Sequence, residues 1–325
     1  GVQARLDKWD LTPAGKLVET GSSWLVPVRC EERAFGTAAA MLKVAKPDSD
    51  ERPGMALLQW WGGEGAVPVL RRDADAILMP RLDDRPALGN LDDFGDAAAF
   101  DILVTTTNRL HRQARQARRA LATGKGRPLP AGLIPLADVR RHVFRLPLAQ
   151  GERLARWRAF AAGFDLEGPA PLPLHGDIHH GNLLHDPGHN PGHNPGHNPG
   201  HNSGHNAGHN PGQGDSSSGW VLIDPKGYVG HPGYDFANLF FNPIDQPGRV
   251  ADPARMLRLA ETIAAVSASG GAGADGDSGV RSPGEALDFA YLYGGFSVSW
   301  GVDQPWFEAR MAQLSLIEDL RGARR

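Results

Sequence analysis

Two short stretches hold the side chains best suited to chemistry. In the first, HGDIHHGN (residues 175–182), Asp177 is followed five residues later by Asn182, which opens the apolar run Leu183–His185. In the second, WVLIDPKG (residues 220–227), the strand-like run WVLI delivers Asp224 at its end. Paired as a hairpin, the two runs would hold Asn182 and Asp224 side by side, with Asp177 on the loop leading in. Oxygen ligands of this kind suit Mg²⁺, which keeps some waters and takes the rest of its shell from nucleotide phosphates.

The surrounding chain must supply the elements that position these groups. Residues 16–82 read as short strands, KLVET, SWLVPVRC, AAAMLKVA, AVPVL and AILMPRL, bounded by turn residues such as Pro13, Gly15, Gly21 and Asp73. That pattern predicts a small antiparallel sheet. Between the third and fourth strands, DERPGMALLQWWGG has the apolar spacing of an amphipathic helix ended by Gly62 and Gly63. Beyond it, segments 92–122, 136–148, 152–164, 252–267, 283–293 and 305–320 read as helices. The expectation is an α+β chain of two lobes: a β-rich lobe over 1–82 and a large, mostly helical lobe over 83–325.

Composition sets bounds on partners and compartment. The 325 residues are 41% hydrophobic and 22% charged, in the globular range, and the net charge of -3 does not advertise nucleic acid or an anionic membrane as the main partner. The basic run NRLHRQARQARRA (108–120) reads as the wet face of a long helix. Charge is uneven along the chain. From Asp224 to Leu320 there are 13 Asp+Glu against 6 Lys+Arg, a local net of -7 that suits a cationic ligand. A single cysteine, Cys30, excludes an internal disulfide, and no run of about 18 apolar residues is present, so an intracellular, cytoplasmic chain without a membrane span is expected.

The order of the two stretches resembles the protein-kinase-like fold, in which H-R-D-x-x-x-x-N supplies a base and one metal ligand and D-F-G supplies the other. Here the motifs read H-G-D-I-H-H-G-N and D-P-K-G, which is similar to the aminoglycoside phosphotransferases. With GYDFANLFFNP, they resemble the streptomycin 6-phosphotransferase and hydroxyurea phosphotransferase branch of that family, and the likeness runs from WDLTPAGKLVETGSSWLVPV to YLYGGFSVSWGVDQPWFEARMAQL. The resemblance implies a bilobal kinase-like fold that transfers the γ phosphate of ATP, with Mg²⁺, to a hydroxyl of a small molecule. It makes Asp177 the group that orients and deprotonates that hydroxyl, Asn182 and Asp224 the Mg²⁺ ligands, and Lys43 the contact to the α and β phosphates. Asp235 would brace the catalytic loop, with His175 packed and hydrogen-bonded inside it.

Three positions depart from the pattern. Gly21, Ser22 and Ser23 are a sparse version of a glycine-rich phosphate loop. Gly54 stands where relatives carry the glutamate that pairs with the lysine; Glu51, one turn of about 5.4 Å earlier, either substitutes or leaves Lys43 unpaired. His179 stands where protein kinases have a lysine two residues after the base, and either steadies the γ phosphate or caps the loop. The resemblance points to streptomycin, whose guanidinium groups suit the acidic excess, with Asp303 and Glu308 as candidate contacts. Hydroxyurea, a cellular alcohol, or a nucleotide-binding protein with little turnover are the alternatives. Trp60, Trp61, Trp300 and Trp306 read as packing residues.

One feature looks foreign to all of this. Six Gly-His-Asn units recur every four residues between Gly188 and Asn210, inside a 34-residue insertion (186–219) at the tip of the proposed hairpin. Such a Gly- and Pro-rich tract cannot build a core, and closing a longer loop costs only about 0.6 kcal/mol per doubling. Passive expansion therefore accounts for it more simply than a metal function. Its imidazoles still suit Ni²⁺, Cu²⁺ or Zn²⁺. The untagged protein is expected to be retained on a nickel resin and released by imidazole; native protein running straight through would refute this.

Overall fold

The computed structural model describes residues 1–30, 39–47, 49, 51–82, 87–146, 151–186, 219–269 and 279–323. The histidine repeat and most of the 270–279 glycine tract lie outside the described residues.

The N-terminal lobe comprises α1 (Val2–Trp9), β1 (Thr12–Pro13), β2 (Val18–Glu19), β3 (Ser23–Arg29), β4 (Ala39–Ala45), α2 (Glu51–Trp61), β5 (Arg71–Arg72) and β6 (Ala76–Pro80). Its antiparallel sheet has the order β1-β3-β4-β6-β5, with β2 sharing the edge of β3 that β1 occupies further along. Side chains alternate along β4. Ala40, Leu42 and Val44 pack with Leu6 and Trp9 of α1, whereas Ala45, together with Ile77 and Met79 of β6, packs with α2. Lys43 shares this second face, which the cleft and α2 cover. Helix α1 has no counterpart in the sequence reading: it buries only Leu6 and Trp9, too few apolar positions to establish a period.

The run AVPVL, expected as a sheet strand, does something else. Pro68 cannot donate to a ladder, and the two-residue β5 takes the sheet edge instead. Ala66 forms a parallel bridge to Leu222, with Leu222 N–H donating to Gly65 O at 3.0 Å and Val67 N–H to Leu222 O at 2.9 Å. The segment after α2 thus ties the first lobe to the second.

The second lobe contains α3 (Leu91–Phe94), α4 (Asp96–Ala122), β7 (Ile134–Pro135), α5 (Leu136–Val143), α6 (Glu152–Gly163), β8 (Leu172–Leu174), β9 (Leu183–His185), β10 (Trp220–Leu222), β11 (Tyr228–Gly230), α7 (Tyr234–Ala237), α8 (Pro247–Val250), α9 (Pro253–Ser269), α10 (Pro283–Trp300) and α11 (Phe307–Gly322). The expected helix at 92–122 is broken at Gly95, whose φ of 73° ends α3. Helix α10, expected to stop at Tyr293, continues seven residues further to Trp300. Its Gly294–Gly295 pair is not a terminus. A Cβ on Gly295 would lie 1.9 Å from the Trp157 ring, so the glycine permits close helix packing. Almost the whole helix is buried. Among the described residues, no helix is long and apolar enough to cross a membrane.

Candidate active site

The site is assembled on the β9–β10 hairpin. Antiparallel pairing sets Leu183 opposite Leu222, and the N–H of Ile223 donates to Asn182 O at 2.9 Å. Asn182 and Asp224 therefore flank the open end of the ladder. Asn182 Nδ2 donates to the Asp177 carbonyl at 2.9 Å, which leaves Oδ1, a hard acceptor, as the amide's other polar atom. Asp224 adopts φ 64°, a left-handed conformation uncommon for a residue with a Cβ and often seen at functional positions.

The loop bearing Asp177 is held from below. Asp235 Oδ1 accepts the Gly176 N–H at 2.7 Å, while Oδ2 accepts the His175 N–H at 3.1 Å and His111 Nε2 at 2.8 Å. His175 is fully buried. Its Nε2 donates to Ile223 O at 2.8 Å, so its unprotonated Nδ1 accepts the Asp177 N–H at 3.3 Å. Burial pushes its pKa down, against the raising effect of Asp235, and favours the neutral ring that this bonding requires. His179 begins the 3-10 turn His180–Asn182, with Nδ1 accepting the Gly181 N–H at 3.1 Å. Burial lowers its pKa too, and a neutral ring that accepts at Nδ1 carries its proton on Nε2.

From the first lobe comes Lys43, 5% exposed. Its Nζ lies 2.6 Å from Glu51 Oε2 and also bonds Asp224. Glu51 is thus the lysine's partner. Gly54 faces elsewhere: a Cβ there would sit 1.8 Å from the Pro225 carbonyl oxygen, because the first turn of α2 rests on the D-P-K-G loop. Burial works to raise the Asp224 pKa, but the charge and hydrogen bond of Lys43 hold it below the usual carboxylate range. Ser22 Oγ donates to Glu51 Oε1 at 2.5 Å, Ser23 is buried in β3, and Gly21 is exposed at the turn. Lys43, Glu51 and Asp224 line a cavity of about 40 Å³ whose other wall is apolar, including Leu25, Met79 and Ile223.

The comparisons with known proteins bear on this geometry. The sequence model of one family, described as aminoglycoside/hydroxyurea antibiotic resistance kinase, matches residues 8–271. The chain belongs to this family. It is 31% identical to a streptomycin 3''-kinase of Klebsiella pneumoniae over 323 residues, 98% of this chain and 99% of that one. A streptomycin 6-kinase of Streptomyces griseus is 30% identical over 240 residues, 71% of this chain and 62% of that protein. An apo macrolide 2'-phosphotransferase of Brachybacterium faecium has a TM-score of 0.53 at 13% identity, covering 97% of this chain and 96% of that one. That likeness concerns the fold, which is bilobal and protein-kinase-like.

Two residues that bond to the Asp177 loop escaped the sequence reading. Asn238 Nδ2 donates to Asp177 Oδ1 at 3.0 Å, and Asn242 Nδ2 donates to Asn238 Oδ1 at 2.8 Å. Asn238 follows Asp235 by three residues, one turn along the same face, so the two side chains grip the loop together; that spacing in YDFAN was the available signal. Lys226 is the second. Its backbone N–H donates to His175 O at 2.7 Å, and its charge depresses the pKa of both His179 and Asp224. Asp303 and Glu308, expected as acceptor contacts, are exposed in the α10–α11 turn and the first turn of α11, and neither lines the Lys43 cavity or the cavity bordered by Tyr228 and Trp300.

Proposed function

We propose that this kinase transfers the γ phosphate of ATP to a hydroxyl of streptomycin, using Mg²⁺. The observation that carries the reading is the convergence of Lys43, bonded to Glu51 and Asp224, with an Asp177 carboxylate that Asn238 holds in one orientation. Residues 1–82 serve as the nucleotide lobe and 83–325 as the catalytic and acceptor lobe. Asp177 orients the acceptor hydroxyl and takes its proton as the new P–O bond forms. Lys43 turns to the α and β phosphates, with Glu51 fixing its amine; Gly21, Ser22 and Ser23 border the phosphates. His179 offers its Nε2–H, and Lys226 its charge, to the phosphoryl oxygens. Asp235 and His175 act through the loop, without touching substrate.

The donor set fits a hard cation. Lys43's ammonium against Asp224 shows that this carboxylate already faces positive charge, and Asn182 offers an amide oxygen beside it. Asn182 and Asp224 would hold Mg²⁺ with the phosphates completing its shell. The ion supplies neutralisation of charge on the transferred group. Glu51 also answers the main reason for supposing a kinase without turnover, since Lys43 has its carboxylate after all.

Streptomycin is chosen over hydroxyurea because the Klebsiella streptomycin kinase aligns along its whole length. Its guanidinium groups also meet the acidic excess of the second half. We place the activity in the cytoplasm, where ATP is available, with no role for nucleic acid. The test incubates the protein with Mg-ATP and a panel of streptomycin, kanamycin, hydroxyurea and simple sugar alcohols, and follows each compound by mass spectrometry. Streptomycin is expected to gain one phosphoryl mass, which fragmentation then locates; a panel in which streptomycin gains none overturns the assignment.

A further inference from the structure

A second cavity, of about 440 Å³, opens between α5 and the end of α10. Its wall includes Tyr228, Trp300, Asp138, His142 and Lys226. It adjoins the catalytic loop: the Tyr228 ring lies 2.5 Å from where a Cβ on Gly176 would be, and Gly176 precedes Asp177. An aromatic series leads away from this point. Tyr228 meets Tyr234 at 6.1 Å, Tyr234 meets Tyr293 at 5.8 Å, and Tyr293 meets Trp300 at 6.2 Å between ring centroids. Burial raises the pKa of Tyr234 and Tyr293, and the charge of Asp177 contributes in both cases, which places these hydroxyls within its electrostatic reach. Tyr234, 1% exposed, has a hydroxyl with no hydrogen-bond partner among the described residues.

The two ends of this cavity differ in charge. At the loop end, Lys226 lines the cavity and its backbone N–H is tied to His175 O at 2.7 Å, so its positive charge disfavours a cationic part of the acceptor there. At the far end, Trp300 is 41% exposed although every other α10 residue from Phe289 to Ser299 is buried. Asp138 lines the same cavity, and its partner is Arg141, one turn along the exposed face of α5. Such an i,i+3 pair is weak and exchangeable.

We propose that this cavity is the acceptor subsite, in which Trp300 stacks on a planar cationic group of the acceptor, of guanidinium type, while Asp138 supplies the countercharge. The proposal rests on the kinase reading above. It gives that reading a polarity: the acceptor's hydroxyl lies at the Asp177 end and its guanidinium at the Trp300 end. A tryptophan face and a carboxylate together favour a guanidinium over an ammonium, because the planar cation can stack and donate two parallel hydrogen bonds at once.

The test uses the full chain with calorimetric titration and steady-state kinetics, comparing streptomycin with kanamycin, which carries ammonium groups and no guanidinium. Trp300→Ala is expected to weaken streptomycin binding and raise its KM by about tenfold, with a smaller change in kcat. Trp300→Tyr should keep most of the affinity, and Asp138→Asn should lower it in a salt-dependent way. Asp138 lies on an exposed helix face, so that variant keeps the test readable where Trp300→Ala fails to fold. Streptomycin binding as in wild type in both Trp300→Ala and Asp138→Asn overturns the proposal. Wild-type protein that phosphorylates kanamycin and does not bind streptomycin overturns it too, while leaving an aminoglycoside kinase standing. Trp300-dependent streptomycin binding with no transfer to any compound supports the subsite and overturns the kinase reading instead.

Discussion

Asp177→Asn is expected to lower kcat for phosphoryl transfer by about 10²–10⁴-fold while ATP affinity stays within a small factor of wild type. The change is nearly isosteric and most of the surroundings survive it. Asp177's backbone bonds, from its N–H to His175 Nδ1 and from Asn182 Nδ2 to its carbonyl, do not involve the side chain. Asn238 Nδ2 donates to Oδ1, and an asparagine at 177 can still offer an oxygen there. What disappears is the proton acceptor and one negative charge. That charge works to raise the His179 pKa, so its removal leaves His179 still more firmly neutral, with its Nε2–H still in place. Single-turnover kinetics beside nucleotide titration separates the two effects. Near-normal kcat would remove Asp177 from the chemistry, and a parallel loss of ATP binding would make its role structural.

How much of this was legible beforehand follows from the range over which each feature is determined. The hairpin and its three polar groups were readable because Asn182, Leu183–His185, Trp220–Leu222 and Asp224 form one local unit, and the register follows from where the apolar runs stop. The β-lobe was readable from period-2 runs, apart from AVPVL, where Pro68 outweighs an apolar pattern. Helix α10 was cut short because a Gly-Gly pair looks like a terminus in one dimension; only the nearness of Trp157 shows what the glycines are for. Asn238 was missed because its spacing from Asp235 has meaning only once the short helical turn and the loop above it are known. Trp300 was read as packing on the usual tendency of tryptophan, and exposure beside a cavity is a property no local pattern records.

Gly54 is the case in which a sequence comparison alone would mislead, and the second large effect is expected there. Installing a glutamate where the family resemblance led one to be expected, as Gly54→Glu, looks like a repair. It should instead be damaging. A Cβ at 54 would sit 1.8 Å from the Pro225 carbonyl oxygen and 2.8 Å from its carbon, and a Cβ on Gly227 would sit 2.6 Å from the Pro53 carbonyl carbon, so helix and loop meet backbone to backbone. Neither side is the flexible end of a side chain that could swing away. The loop in question carries Asp224, so any outward shift moves that carboxylate away from Lys43 and from Asn182. Overpacking of this kind costs about 1–3 kcal/mol, more where backbone must move, and in a chain of this length a fall in Tm of roughly 2–4 °C follows. Gly54→Ala should show most of the loss, because the conflict begins at Cβ, and both variants should raise the KM for ATP. Glu51→Gln gives the complementary measurement: it removes one of the lysine's two carboxylate partners, the one at 2.6 Å, without adding an atom against the loop, so it should impair ATP use with a smaller change in Tm. A Gly54→Ala protein with wild-type Tm and wild-type KM for ATP would show that the loop yields freely, and that the close approach at Gly54 does not constrain this position.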